Sequence, residues 1–240
     1  MERKYIYDDG IGYVELVDHM GTDLTVVNAA RVSFNKHKTG MDEKDEKLIK
    51  YLIEHKHTST LEHNHITFRL KVPLFVRSQH HRHRTASYNE VSRRYTEESM
   101  QFYLPKKFRT QHKSNRQASN ADELVDPAMS WCYRDPHEGG DCGNASTSLD
   151  AFTGIAHRLY EELMSVGVCR EQARMVLPQN LYTEYYCTLN LRNLMHFIEL
   201  RTHEGAQWEI QQVANAMLEI ARELWPVTVA AFIEEQKTHR

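Results

Sequence analysis

The chain has 240 residues, of which 40% are hydrophobic and 26% are charged. This composition is ordinary for a globular protein, and the length is sufficient for one domain with a sizeable core. The formal net charge of −3 excludes a protein whose whole surface binds nucleic acid or an anionic membrane, so any basic site must be local. No apolar run approaches the roughly 20 residues needed to span a bilayer. The 4 cysteines form no CxxC pair, and we expect a cytoplasmic protein with reduced thiols.

The first half of the chain alternates predicted strands and helices. Residues 11–17 predict a short strand, and residues 45–55 predict a helix because their leucines and isoleucines form one apolar face. Apolar and polar side chains alternate over residues 64–71, which is the period of a half-buried strand. Pro73 ends that strand and favours a helix from Leu74 to about Arg84.

The second half of the chain is predicted to be mainly helical. Residues 106–149 are rich in Lys, Asn, Ser, Gly and Asp, so we expect an insertion or a mobile loop within a single domain spanning residues 1–240. Beyond it, apolar residues at helical spacing predict helices over residues 152–163, 191–198 and 210–224.

The segment from Arg77 to Arg94 concentrates positive charge. It contains five arginines and three histidines against a single acid, Glu90. The planar guanidinium group matches phosphate oxygens in pairs, so this segment is suited to a nucleotide phosphate or a cofactor pyrophosphate. A solvated basic surface is the alternative interpretation. The hydroxyl, amide and carboxylate side chains of residues 87–92 favour recognition of a base and a ribose instead.

Other kinds of site find less support in the sequence. Seven histidines lie between His55 and His83, and His63 and His65 would share one face of the predicted strand. HExxH and equivalent metal-binding spacings are absent, so we expect no metal. None of the cysteines has an activating base nearby in sequence, and neither GxGxxG nor a Walker A pattern occurs. If a nucleotide binds here, arginines hold it.

Further charged residues occur at helical spacing in the second half. Arg170, Glu171 and Arg174 would lie close together on a helix, where a surface ion pair is the simpler interpretation. Arg192 and His196 are four residues apart, and cations near a helix C-terminus are favourable in any protein. Spacing alone therefore gives neither group a functional role.

The run from Arg82 to Ser92 consists of Arg-His-Arg, seven residues and a serine. It resembles the RHR-x7-S signature of the flavin-dependent thymidylate synthases. The resemblance covers nearly everything outside residues 106–149. Four further stretches resemble the family in the expected order: residues 29–33, 57–63, 170–182, and 200–201 with 206–209.

The resemblance implies a methyltransferase of dTMP biosynthesis. Such an enzyme moves a methylene group from methylenetetrahydrofolate to C5 of dUMP and reduces it with FADH2, which NADPH regenerates. The implied fold is α/β (α+β), with a mixed sheet and a helical C-terminal half. The implied assembly is a homotetramer with FAD at the subunit interfaces.

Carried over position by position, the resemblance implies two overlapping groups of site residues. The FAD set consists of Ser59, Arg82, His83, Arg84, Glu90, Asn190, Arg192 and His196. The dUMP set consists of Gln79, Arg82, Glu90, Val91, Ser92, Arg93, Arg94, Arg174 and Arg201. Arg201 is the expected catalytic residue, because a guanidinium beside N3 and O2 or O4 of uracil stabilises the charge that develops when C5 attacks. Ser92 is expected to bind dUMP, since no base adjoins it in sequence.

Two features depart from the family pattern. His80 and His81 stand where bulky aromatic residues are expected, and residues 106–149, with Trp131 and Cys132, have no counterpart. Two other functional classes remain open. One is a nucleotide-binding protein without catalysis, and the other is an RNA-binding module, which the net negative charge disfavours.

Overall fold

The computed structural model describes residues 3–92, 94, 100–130 and 143–238. Its strands are β1 (Lys4–Tyr5), β2 (Tyr13–Met20), β3 (His65–Pro73), β4 (Ser87–Glu90), β5 (Phe108–Gln111), β6 (Ser119–Val125) and β7 (Tyr182–Asn190). Its helices are α1 (Asp23–Arg31), α2 (Glu43–Glu54), α3 (Leu74–His80), α4 (Ala145–Ser165), α5 (Arg170–Ala173), α6 (Leu191–Arg201), α7 (Trp208–Leu224) and α8 (Pro226–Thr238). In these described ranges, no helix has the length and apolar character to cross a membrane.

Five strands form one sheet in the order β1-β2-β3-β7-β4, while β5 and β6 form a separate pair. The expectation of a mixed sheet is wrong for this part of the chain, because every pairing in the five-stranded sheet is antiparallel. The helices between β2 and β3 return the chain to the end of the sheet at which β2 finished. Strand β3 therefore runs back beside β2 instead of parallel to it.

Strand β3 lies at the centre of the sheet and confirms the alternation seen in the sequence. Ile66, Phe68, Leu70 and Val72 are at most 1% exposed, and the residues between them are only partly buried. Its neighbour β7 has no predicted counterpart, because its sequence YTEYYCTLN has no strong apolar alternation. Tertiary packing buries one of its faces regardless of this polar composition.

The predicted amphipathic helices are confirmed, and α4 begins seven residues earlier than expected, within the segment predicted to be a loop. Helix α2 is capped by Asp42, whose carboxylate accepts hydrogen bonds from the amides of Lys44 and Asp45. Helix α7 buries Ile210, Val213 and other apolar residues against one continuous core, which also includes the sheet and residues of α1, α2, α6 and α8. This core fixes the positions of both helix α6 and the segment that follows α3.

Helix α3 ends at His80, so the prediction of a helix continuing to Arg84 is wrong. Beyond His80 the main-chain amides of Arg82 and His83 bond to carbonyls three residues earlier, which is turn geometry. The Tyr88 hydroxyl lies 3.1 Å from the carbonyl oxygens of both His80 and His83 and donates to them. These bonds satisfy carbonyls that a longer helix would have used.

Part of the segment 106–149 has regular structure. β5 and β6 pair in antiparallel fashion within it, and α4 begins at Ala145. The Asp126 carboxylate accepts from the amide of Ser146, at 2.8 Å, and joins the segment to the start of that helix. Trp131 and Cys132 lie outside the described residues. That this segment is an insertion stays a prediction.

His80, one of the two departures from the family pattern, is buried in the core and is 1% exposed. Its Nδ1 lies 2.7 Å from the hydroxyl oxygen of Tyr185, and its ring packs against Phe197 with centroids 4.7 Å apart. Burial lowers the pKa of His80 to about 3, with smaller contributions from the neighbouring His83, His81 and Arg201. The imidazole is therefore neutral in the folded protein at physiological pH.

This burial predicts acid sensitivity of the fold. An unfolded histidine has a pKa of about 6.5, so the unfolded chain binds a proton at His80 well before the folded chain does. The stability due to His80 is fully present above pH 6.5 and is lost as the pH falls towards 3. Between pH 7.5 and pH 5 we expect this one residue to cost about 2 kcal/mol of unfolding free energy.

The measurement is urea unfolding at both pH values. The double variant His80→Phe/Tyr185→Phe removes the titrating ring together with its hydrogen-bond partner, and it should lose about 2 kcal/mol less than the parent on acidification. The exposed His37→Gln variant should keep the parental pH dependence. Equal losses for the parent and the double variant would show that His80 does not carry the effect.

Candidate active site

A cleft of about 1150 Å³ opens beside helix α6. Arg192, His196 and Arg201 point into it from that helix, and Phe232 of α8 contributes an apolar wall. Two further members of the FAD set are close in sequence to residues that line this cleft. Asn190 caps α6, accepting from the Asn193 amide at 2.9 Å, and exposed Ser59 follows the cleft residue Thr58. The predicted four-residue spacing therefore places Arg192 and His196 of the FAD set along one cleft.

Arg201 occupies the last residue of helix α6 and is partly buried. Its Nε donates to Nε2 of His83 at 3.2 Å, and within the described residues it makes no ion pair with a carboxylate. Burial, then Arg201 and His196, lower the pKa of His83 to about 4, so this imidazole is a neutral acceptor. Arg201 thus keeps an uncompensated charge at the edge of the larger cleft.

Two other arginines of the predicted sets have acidic partners. Arg192 lies 2.5 Å from Glu62, and Arg94 lies 2.6 Å from Glu171. The sequence placed Glu171 near Arg170 and Arg174 on a longer helix. Helix α5 instead ends at Ala173, and a 3₁₀ turn follows it.

A second cleft, of about 510 Å³, is lined by both ends of the basic segment. Glu90, Val91, Ser92 and Arg174, all from the dUMP set, line it. Strand β4 pairs with β7, and the amide of Val91 continues this pairing by donating to the carbonyl of Glu184 at 2.9 Å. The backbone leading to Ser92 is therefore held by the sheet.

Two residues that the sequence left without a role hold the Glu90 carboxylate in place. The Thr183 hydroxyl donates to Oε1 of Glu90 at 2.7 Å, and Nε of Arg77 lies 3.2 Å from the same oxygen. Arg77 belongs to the basic segment, so charge could have indicated it. Thr183 lies on the unpredicted strand β7, and only the strand pairing brings it here.

The remaining members of the two sets line neither cleft. Arg82 and Arg84 are exposed on the turn after α3, and the Gln79 amide donates to Oε1 of Gln207. Arg93 lies outside the described residues. In the described part of the chain, no residue lines both clefts. Within one chain Arg201 is therefore held apart from the members of the dUMP set that line the smaller cleft.

The described residues offer little support for a metal site or a cysteine nucleophile. His65 begins β3, but His63 ends a 3₁₀ segment, so the two do not share a strand face as expected. Among the described residues, no three histidine, cysteine or acidic side chains are grouped to hold a metal ion. Burial raises the pKa of the Cys187 thiol to about 12, whereas Cys169 is exposed.

Known proteins resemble this chain over most of its length. A family model described as thymidylate synthase complementing protein matches residues 15–227. The flavin-dependent thymidylate synthase of Thermus thermophilus is 44% identical over 223 residues, covering 93% of this chain and 76% of that protein. The enzyme of the same name from Thermotoga neapolitana is also 44% identical over 223 residues, and 91% of its length is covered.

The solved structures agree with these sequence matches. A UMP/dUMP methylase from Streptomyces cacaoi bound with 5-Br UMP superposes with a TM-score of 0.75 at 35% identity, covering 92% of this chain and 93% of the other. The same methylase bound with 5-Br dUMP gives a TM-score of 0.76, with 92% and 94% covered. Since family model, relatives and structures all extend over nearly the whole chain, it belongs to the thymidylate synthase complementing protein family, the flavin-dependent thymidylate synthases.

Proposed function

We propose that this protein methylates C5 of dUMP to give dTMP, with methylenetetrahydrofolate as carbon donor and NADPH as the source of reducing equivalents. The names of the relatives and the uracil nucleotides bound to the similar structures support this activity. The observation that carries the chemistry is Arg201, a half-buried cation whose described partner is a neutral imidazole. Such a group is suited to stabilise negative charge on a bound pyrimidine.

The larger cleft has the chemistry that FAD requires. Its volume of about 1150 Å³ exceeds that of most small-ligand pockets, as a dinucleotide needs. Arg192 and His196 are suited to the pyrophosphate, while Leu61, Met195 and Phe232 offer apolar contacts for a flavin ring. When bound and reduced, FAD supplies the hydride that converts the transferred methylene group to a methyl group.

The smaller cleft has the groups that a nucleotide monophosphate requires. Arg174 offers a guanidinium fork for the phosphate, and Ser92 offers a hydroxyl for the phosphate or ribose. Arg94 adjoins the cleft through its ion pair with Glu171, which lines it. Ser92 acts as a ligand in this proposal. Its hydroxyl oxygen accepts from the Arg94 amide at 3.3 Å.

Arg201 supplies the activation of uracil. Attack by C5 on the methylene carbon requires electron density on the ring, and the guanidinium stabilises the negative charge that appears on the ring nitrogen and carbonyl oxygens. The proton on C5 is lost after the new carbon–carbon bond has formed. His83 keeps Nε of Arg201 occupied, so the two terminal nitrogens remain for the substrate.

The separation of the clefts supports an active site built from several chains. Arg174 and Ser92 lie in one cleft and Arg201 lies in the other, so Arg201 of one subunit would meet the dUMP set of another. A homotetramer with FAD across its interfaces satisfies this requirement. We further propose a cytoplasmic location. The two alternatives, a binding protein without catalysis and an RNA-binding module, are less well supported than this enzyme. The reason is that each cleft contains polar groups expected for its ligand.

Replacement of Arg201 tests the activation mechanism. We expect Arg201→Ala to lower kcat/KM for dUMP by at least about 100-fold, the usual scale for losing one charge-stabilising donor. The assay is tritium release from C5-labelled dUMP in the presence of methylenetetrahydrofolate and NADPH. Flavin absorbance of each purified variant reports whether the FAD site is intact.

Two further variants complete this test. Arg222→Ala removes an exposed arginine from α7 and should behave like the parent. Ser92→Ala should raise KM for dUMP while retaining measurable kcat, as expected for the loss of a ligand. Normal turnover by Arg201→Ala would exclude the activation mechanism even if the parent makes dTMP.

The shared active site predicts complementation between inactive variants. Chains carrying Arg174→Ala and Arg201→Ala, each with a different affinity tag, are co-expressed, and mixed tetramers are isolated through both tags. With random assembly, about one quarter of the sites combine an intact smaller cleft with an intact Arg201. Tritium release should recover to about that fraction of the parental value. No recovery in mixed tetramers would place both arginines of a site in one chain.

A further inference from the structure

Four side chains from distant parts of the chain form a continuous hydrogen-bonded series that ends at Gln79. Arg109 of β5 lies 2.5 Å from Oε1 of Glu209, and its guanidinium stacks over the Trp208 ring at 4.9 Å. The other carboxylate oxygen of Glu209 accepts from the Gln207 amide at 2.9 Å. Gln207 in turn accepts from Gln79.

The middle of this series is well shielded from water. The Glu209 side chain is 5% exposed, and that of Arg109 is 19% exposed. The Tyr7 hydroxyl donates to the Glu209 carbonyl oxygen at 3.2 Å, and the Tyr103 hydroxyl lies 3.5 Å from its carboxylate. Both oxygens of the Glu209 carboxylate accept hydrogen bonds, one from Arg109 and the other from Gln207.

This carboxylate fixes the direction of every bond that follows. Gln207 must turn its NH2 group towards Glu209, which leaves its carbonyl oxygen facing Gln79. Gln79 must then donate through its own NH2 group. The only orientation compatible with the series leaves Oε1 of Gln79 as an acceptor for another molecule.

Most side chains of the dUMP set are arginines, which can only donate. Of the two oxygens of Glu90, Oε1 already accepts from Thr183 and lies beside Arg77, so a further acceptor at Gln79 adds to the recognition of donors. At neutral pH dUMP itself carries two hydrogen-bond donors, the ring N3–H and the ribose 3′-hydroxyl. Gln79 follows Arg77 of the smaller cleft by two residues on α3, and Gln207 directly follows Ala206 of the larger cleft, so the series joins chain segments that line the two clefts.

We propose that Arg109, Glu209 and Gln207 are positioning residues that hold Gln79 with its carbonyl oxygen towards a donor of the nucleotide. This inference rests on the proposed function and deepens it. It also gives the β5–β6 pair, in the segment predicted to be an insertion, a role in substrate selection. A nucleotide lacking the recognised donor loses the bond and leaves the acceptor unsatisfied.

The test compares three nucleotides on the holoenzyme. They are dUMP, dCMP, whose N3 is an acceptor, and the 3′-deoxy analogue of dUMP. Affinity is measured from the change in flavin absorbance on titration, and kcat and KM are measured where turnover occurs. In the parent, one of the two analogues should bind at least about tenfold more weakly than dUMP.

The decisive variant is Gln207→Leu, which interrupts the series but keeps the Arg109–Glu209 pair. It should weaken dUMP binding about tenfold while leaving the already weak analogue unchanged, so that the discrimination between the two is lost. Glu209→Gln should act in the same direction, because an amide can turn either end towards Gln207. The matched control is Gln212→Leu on α7, the helix that begins directly after Gln207; the Gln212 amide donates to the Trp208 carbonyl.

The outcomes separate this inference from the proposed function. Loss of discrimination in Gln207→Leu, with full flavin content and parental behaviour of Gln212→Leu, supports the positioning series. Unchanged discrimination in Gln207→Leu, in an enzyme that converts dUMP to dTMP, overturns the series and leaves the proposed function standing. A parent protein that neither binds nor methylates dUMP overturns both. A uniform fall in affinity for all three nucleotides means a merely structural role and also overturns the inference.

Discussion

The pairing of β3 with β7 is the interaction on which the rest of the structure depends. Nine residue pairs are in register, from His65 opposite Asn190 to Pro73 opposite Tyr182. At one end β3 continues into α3 and the RHR turn, and at the other end β7 continues into α6, which carries Arg201. The far edge of β7 also holds β4, so a slip of one residue would move both clefts at once.

Charge compensation then distinguishes the roles of the arginines. Arg192, Arg94 and Arg77 each lie beside a carboxylate, which holds the side chain and reduces its net field. Arg201 has a neutral imidazole instead, because burial and the neighbouring cations keep the proton off His83. A guanidinium stabilises a developing anion most effectively without a competing carboxylate, so a neutral His83 suits the role proposed for Arg201.

Local patterns predicted the elements whose burial is one-sided. Strand β3 and helices α2 and α7 have clear periodicity, and the structure confirms them. The end of α3 depended on Tyr88, and the burial of β7 depended on two neighbouring strands, so neither was visible in a short window of sequence. The same limit explains why Arg109 was missed as a partner of Glu209, since 100 residues separate them.

The sequence by itself determined the family, the chemistry of the groups and the residues expected to contact flavin and nucleotide. These follow from the identity and spacing of side chains, above all in the run from Arg82 to Ser92. Residue types and their spacing along the chain can be read without knowledge of the fold. Only the tertiary structure decided which of these residues meet. It placed Arg201 against His83 and away from Arg174. Helix α6 continues from the last residue of β7, whereas β4 pairs along the edge of β7 and runs towards the start of that strand. Distances between elements are set by packing of the whole core, which no local pattern encodes.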